Sequence, residues 1–155
     1  MDKKALKRLI DVAAGREPAD LVLKNANVID VYQAEMISGD LAIVDGKIAG
    51  INGEYQGKET IDLKGKIVAP GFIDPHIHVE SSYVTPEEFS RLLVPHGTTT
   101  VLADPHEIVN VLGLSGLDYM IEAAKETALD IRYMMPSCVP ATNMRSEEHT
   151  SELQS

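Results

Sequence analysis

The chain has one cysteine in 155 residues, so no disulfide framework holds it together. No apolar run reaches the roughly 18 residues that read as a membrane-spanning helix. The first residues carry lysines but no apolar core and no small-residue cleavage site, so no secretory leader is read there. Basic residues are also scarce: 14 Lys and Arg stand against 24 Asp and Glu, a formal net charge of −10. That balance argues against gripping a nucleic-acid backbone, which takes clustered Lys and Arg. The one basic cluster, Lys3, Lys4, Lys7 and Arg8, lies on a single N-terminal segment and reads as a solvated helix face. There is no internal repeat and no low-complexity tract. The expectation is a soluble cytoplasmic protein, with no nucleic-acid and no membrane partner, of a length that suits one ordinary domain.

Chemistry is concentrated in residues 71–82, Gly-Phe-Ile-Asp-Pro-His-Ile-His-Val-Glu-Ser-Ser. Side chains alternate faces along a strand, so His76 and His78 point the same way, about 7 Å apart at ~3.3 Å per residue. Two imidazoles on one face can close on one metal ion, and neutral histidine is a common ligand for Zn, Mn, Fe and Ni. A pair that merely caps a strand end in solvent is the plainer alternative. The preceding run, Ile67-Val68-Ala69-Pro70-Gly71-Phe72-Ile73-Asp74, is apolar with a Pro-Gly turn signal. It places the pair at the C-terminal end of a buried strand, where α/β proteins keep their active sites.

The periodicity divides the rest. Residues 2–14 read as an amphipathic helix with Leu6, Leu9, Ile10 and Ala13 inward and Gly15 near its end. Residues 20–69 change to short strands at 21–23, 28–31, 40–44, 47–51 and 60–63, with Asp45-Gly46 as a type I′ hairpin turn. This small β domain contains no His and no Cys. From residue 70 strands and helices alternate: strand 72–77, helix 86–95, strand 98–103, helix 116–127, strand 131–135. Thr85 is the expected N-cap of the first helix, with Pro86 at its first position and Glu87 and Glu88 at the positive end of its dipole. Phe89, Leu92 and Leu93 supply its buried face. Ser115 is the expected cap of the second helix, with Leu117, Met120, Ile121 and Ala124 inward. A β-α-β-α-β order means parallel strands with right-handed crossovers.

Other candidates are weighed against known chemistries. His78-x-Glu80 occurs in cytidine-type zinc deaminases, but those need Pro-Cys-x-x-Cys downstream, and Cys138 stands alone. His106-Glu107-Ile108-Val109-Asn110 misses the H-E-x-x-H metalloprotease pattern at its last position. Asp104 and His106 follow the second strand on the catalytic rim, as an extra ligand, an outer-shell group or a substrate contact, or simply as parts of a capped loop. Glu80 is read as a carboxylate orienting an imidazole from behind. His96 falls on the opposite rim and reads as structural. Cys138 either lines the pocket or is inert.

Three blocks resemble a known family: Ile67 to His78 with its extension to Ser82, residues 95–113 (Pro-His-Gly-Thr-Thr-Thr-Val-Leu-Ala-Asp-Pro-His-Glu-Ile-Val-Asn-Val-Leu-Gly), and residues 134–142 (Met-Met-Pro-Ser-Cys-Val-Pro-Ala-Thr). The first resembles the opening barrel strand of the amidohydrolase superfamily, and together they resemble its adenine deaminase branch. The resemblance implies an N-terminal helix at 1–15, a small β domain at 16–69, and at 70–144 the first three β/α units of a truncated (β/α)8 metal-dependent hydrolase barrel. It implies hydrolysis of adenine to hypoxanthine and ammonia at a binuclear manganese or iron centre. His76 and His78 would ligate one metal. The remaining ligands and the acid/base group would come from later strands, in a parent whose family is compatible with a homo-oligomer. A part of a barrel leaves an edge strand unpaired, so the chain alone is expected to fold poorly and to be inactive. Another hydrolase of the superfamily, dihydroorotase-like or a different purine-type deaminase, or a fragment without function, stays open as an alternative.

Residues 145–155, Arg-Ser-Glu-Glu-His-Thr-Ser-Glu-Leu-Gln-Ser, match codon for codon the in-frame translation of a common sequencing adapter. They are polar and aperiodic, and read as a non-native tail, so His149 is not a ligand candidate. Without that tail (one Arg, three Glu) the formal charge is −8. The natural reading frame is expected to run on past Met144.

Overall fold

Two compact units, Met1–Pro70 and Gly71–Ser155, make up the computed structural model, which describes residues 1–136. Cys138, His149 and the segment 145–155 lie outside the described residues.

The first unit opens with α1 (Lys3–Ala13), capped by the Asp2 carboxylate, which accepts from the Ala5 N–H at 2.8 Å. Its inward face is only partly the expected one: of the four positions, Leu9 packs against the core. Val12 and Asp11 are buried, while Leu6, Ile10 and Ala13 face out. Asp11 can be buried because Lys7 and Arg16 both pair with it. That rotates the helix to seat Val12 among Ala19, Val22, Ala42 and Val44. The two strands expected at 21–23 and 28–31 are one, β1 (Ala19–Asp30). The chain does not break between them. It bulges, with Asn25 at φ 53° and its backbone N–H on Asp40 at 3.1 Å. Antiparallel β2 (Glu35–Val44) and β3 (Lys47–Ile51) follow, joined at Asp45-Gly46, where both residues have positive φ as a type I′ turn requires. Then β4 (Gly57–Asp62) and β5 (Ile67–Val68) pair in parallel with β1, giving the order β3-β2-β1-β4.

The second unit is a parallel sheet, β6 (Phe72–Ile77), β7 (Thr98–Ala103) and β8 (Asp130–Tyr133), in that order. Its helices are α2 (Pro86–Leu93), α3 (His106–Leu112) and α4 (Leu114–Lys125). Val79, Phe89, Val101, Ala103, Met120 and Leu129 form the core between sheet and helices. Leu92 points out. The inward stripe of α2 is Pro86, Phe89 and Ser90, and the Ser90 hydroxyl accepts from the Leu129 N–H at 3.1 Å, so this buried polar group is satisfied. Thr85 has N-cap backbone geometry, but its hydroxyl bonds Glu87 instead and holds that carboxyl below its usual range. The later helix starts at Leu114 after Gly113. Ser115 is inside it, donating to the Leu112 carbonyl at 2.6 Å, so the cap expectation is corrected. Ile121 is partly exposed. Residues 106–112 form a helix that periodicity did not predict.

Among the described residues no helix is long and apolar enough to cross a membrane.

Candidate metal centre

The site begins with a proline. Pro75 has no N–H to give a ladder, and the β6–β7 register slips between Asp74 and Ile77, so Pro75 and His76 face one residue of β7. The His76 N–H turns back to the Asp74 carboxylate at 3.1 Å. Ile77 packs on the core, and the histidines on either side of it swing out together. Their Nε2 atoms meet at 3.3 Å.

The neighbouring strand selects the tautomer. His78 Nδ1 lies 3.0 Å from the Asp104 carbonyl oxygen, an acceptor only, so Nδ1 carries the proton and donates it. Nε2 of His78 is then a bare lone pair aimed at His76. Two nitrogens bound to one tetrahedral ion at ~2.0–2.1 Å would stand about 3.3 Å apart, which is the spacing observed.

The second strand and the helix after it bring the remaining groups. The His106 ring stands edge-on to His78 with centroids 4.7 Å apart, and its Nδ1 is 3.3 Å from Asp104 Oδ2. Glu107 Oε2 lies 3.3 Å from His78 Nδ1. Ligating atoms of His76, His78 and Asp104 fall within 4.8 Å of one another, and so do those of His78, His106 and Glu107. Asp104 Oδ1 and Glu80 Oε2 are buried with no hydrogen-bond partner among the described residues, whereas His106 Nδ1 and Glu107 Oε2 have the 3.3 Å contacts just given. An unpaired buried polar atom costs about 1–3 kcal/mol. An Asp104 oxygen left without a partner beside two converging imidazoles is a donor set that a divalent cation would satisfy. The residues present therefore fit a divalent metal.

His76, His78, Asp104 and His106 are thus brought together. Glu80 makes its contact at the start of the next helix. Its Oε1 accepts from the Ile108 backbone N–H at 3.2 Å, so it holds a helix end. His96 is exposed beside Gly97 at the start of β7, the opposite end from Asp104. Two further residues were not singled out from sequence. Glu107 appeared only inside a failed metalloprotease pattern, and no local signal would have found it, because the start of its helix is not announced in the sequence. Tyr133, at the end of β8, keeps a buried hydroxyl without a partner among the described residues. Burial first, then the charge of Glu80, pushes that hydroxyl well above the ordinary tyrosine range.

Residues 67–154 match the model of the amidohydrolase family, more than half of the chain, and the chain belongs to that family. Within it, the relatives are consistent. The chain is 66% identical over 146 residues to an adenine deaminase of Ligilactobacillus salivarius, covering 94% of this chain and 25% of that protein. It is 70% identical over 142 residues to adenine deaminase 2 of Desulfotalea psychrophila, covering 92% and 24%. An adenine deaminase of Bacillus velezensis is 52% identical over 143 residues, covering 92% and 25%. The chain spans about a quarter of the length of these curated relatives. A solved N-acyl-D-glutamate deacylase from Bordetella bronchiseptica, complexed with zinc and a phosphonate inhibitor, aligns at 36% identity and a TM-score of 0.48 over 56% of this chain and 19% of that one, too loose a likeness to carry weight.

Proposed function

We propose that this chain supplies the first part of the active site of a hydrolase that converts adenine and water to hypoxanthine and ammonia. The reading is carried by the convergence of His76 and His78 Nε2 at 3.3 Å, in a chain so similar to proteins named adenine deaminase. Its parallel sheet is the opening of a (β/α)8 barrel, whose active-site face lies at the C-terminal strand ends. The metal is manganese or iron, in a binuclear centre completed by residues beyond those described.

When bound, a divalent metal supplies an acidified water for hydrolysis near neutral pH. His76 and His78 hold it through Nε2. Asp104 keeps the His78 proton on Nδ1 through its carbonyl oxygen, so His78 presents a lone pair. His106 and Glu107 crowd the same imidazole and limit its rotation. The group that passes a proton to the departing amine belongs to the three quarters of the relatives that this chain does not span. The substrate is a small molecule, and the single cysteine suits the cytoplasm. A homo-oligomer is compatible with this reading.

The test is a chimera in which residues 1–136 replace the aligned stretch of the L. salivarius enzyme. Hypoxanthine formation from adenine, dependent on added manganese or iron, is the expected result. A folded, metal-loaded chimera that leaves adenine untouched would overturn the proposal. The chain by itself is expected to release no hypoxanthine above a buffer-plus-metal control.

A further inference from the structure

We infer that Glu80 is a positioning residue, which clamps the first turn of α3 and thereby holds His106 and Glu107 against His78. The inference rests on the metal-centre reading. Three observations carry it. First, α3 starts without a cap of its own: Pro105 occupies the N-cap position and makes no side-chain hydrogen bond to the helix. The first turn of any helix leaves backbone N–H groups unpaired. Glu80 reaches across from another element, and its Oε1 takes the Ile108 N–H at 3.2 Å. An anion at this end also suits the helix dipole.

Second, the clamp is rooted in the ligand strand. Residues Glu80–Ser82 form a short 3-10 turn whose first bond runs from the Ser81 N–H to the His78 carbonyl at 3.2 Å. The Ser82 hydroxyl closes on the Val79 carbonyl at 2.5 Å, and Val79 is fully buried. The turn is therefore fixed relative to His78. Third, what the clamp holds is what touches His78. Ile108 directly follows Glu107, whose carboxylate lies 3.3 Å from His78 Nδ1. Ser81 Oγ also approaches Glu107 Oε1, at 3.5 Å. His78 Nδ1 is thus contacted both by the Asp104 carbonyl and by a carboxylate on the helix end that Glu80 locks.

The test uses the chimera with Glu80→Ala and Glu80→Gln. Gln keeps an oxygen acceptor, while Ala removes it. Amide exchange over residues 106–109 is expected to quicken at least roughly tenfold in E80A, the loss of one charge-assisted hydrogen bond, and to change little in E80Q. The kcat for adenine is expected to fall on the order of 10–100-fold in E80A with KM nearly unchanged. E80Q should stay within about threefold of the parent, since it keeps the bond. Equal loss in both variants would mean that the carboxylate charge acts directly, and would overturn the inference. Unchanged exchange in E80A would overturn it as well. If E80A does not fold, E80Q alone decides: parental exchange and kcat support the clamp, and collapse of kcat refutes it. If the unsubstituted chimera releases no hypoxanthine, the proposed reaction fails, and the exchange contrast still decides the clamp.

Discussion

Gly116 is buried in the first turns of α4, where α3 packs closely on it. A Cβ there would stand 2.9 Å from both Cγ1 and the carbonyl oxygen of Ile108, and 3.1 Å from Leu112 Cβ. Ordinary contact begins at 3.4 Å, so α3 must retreat by about half an ångström. One obstacle is backbone, so rotating a side chain does not relieve it. Gly116→Ala gains about 1 kcal/mol of helix propensity and loses about 1–3 kcal/mol to crowding. The clash is expected to win, with a net destabilisation of up to about 2 kcal/mol by those figures. Because Ile108 also carries the Glu80 bond, the retreat moves the helix end beside His78. Misplacement of this size should cost on the order of tenfold in kcat. The assay is thermal melting and hypoxanthine formation in the chimera carrying G116A. A melting temperature above the parent's, with activity intact, would refute the packing argument.

His76→Ala or His78→Ala should lower bound metal, measured by elemental analysis after dialysis, and cut activity by more than about 100-fold, beyond the effect of losing an outer partner; full metal occupancy in either variant would remove them from the ligand set. Tyr133→Phe should leave melting unchanged or slightly raised, because the deleted hydroxyl has no partner among the described residues; a marked drop would reveal a bond the hydroxyl does make. Asp20 is held well below the usual carboxylate range, first by Arg8, then by Lys58 and the Asp45 N–H. A depressed folded value means its contribution is complete above about pH 4 and is lost as pH falls through that value. The melting gap between the parent and Asp20→Asn should therefore be widest near neutrality and narrow in acid, and a gap constant from pH 7 to pH 3 would contradict the pairing.

The sequence was most legible where one physical signal dominated. Strands 72–77 and 98–103 and the Asp45-Gly46 turn stand where β-branched runs and turn chemistry put them. The His76–His78 pair was legible from spacing, although a bulge at Pro75 intervenes in simple alternation. What failed depended on partners distant in sequence. Asp11 is buried because Lys7 and Arg16 neutralise it, so the apolar positions of α1 misjudge the inward face. α3 is capped from 28 residues away by Glu80, so no local signal announces its start. The same separation hid the grouping of Glu107 with His78, which only the pairing of β6 with β7 creates.

β1 has consequences for the order in which the chain can be built. Its antiparallel neighbour follows within a few residues, but its parallel neighbours are residues 57–62 and 67–68. On a ribosome, the β1–β2–β3 meander can close while the other edge of β1 still has unanswered N–H and C=O groups. That edge is open to wrong pairing until about residue 68 has emerged, and parallel closure over such a span is intrinsically slow. The pace at which residues 45–68 emerge thus bears on how much product folds, and nascent chains stalled with Val68 just inside and just outside the ribosome should differ sharply in protease resistance.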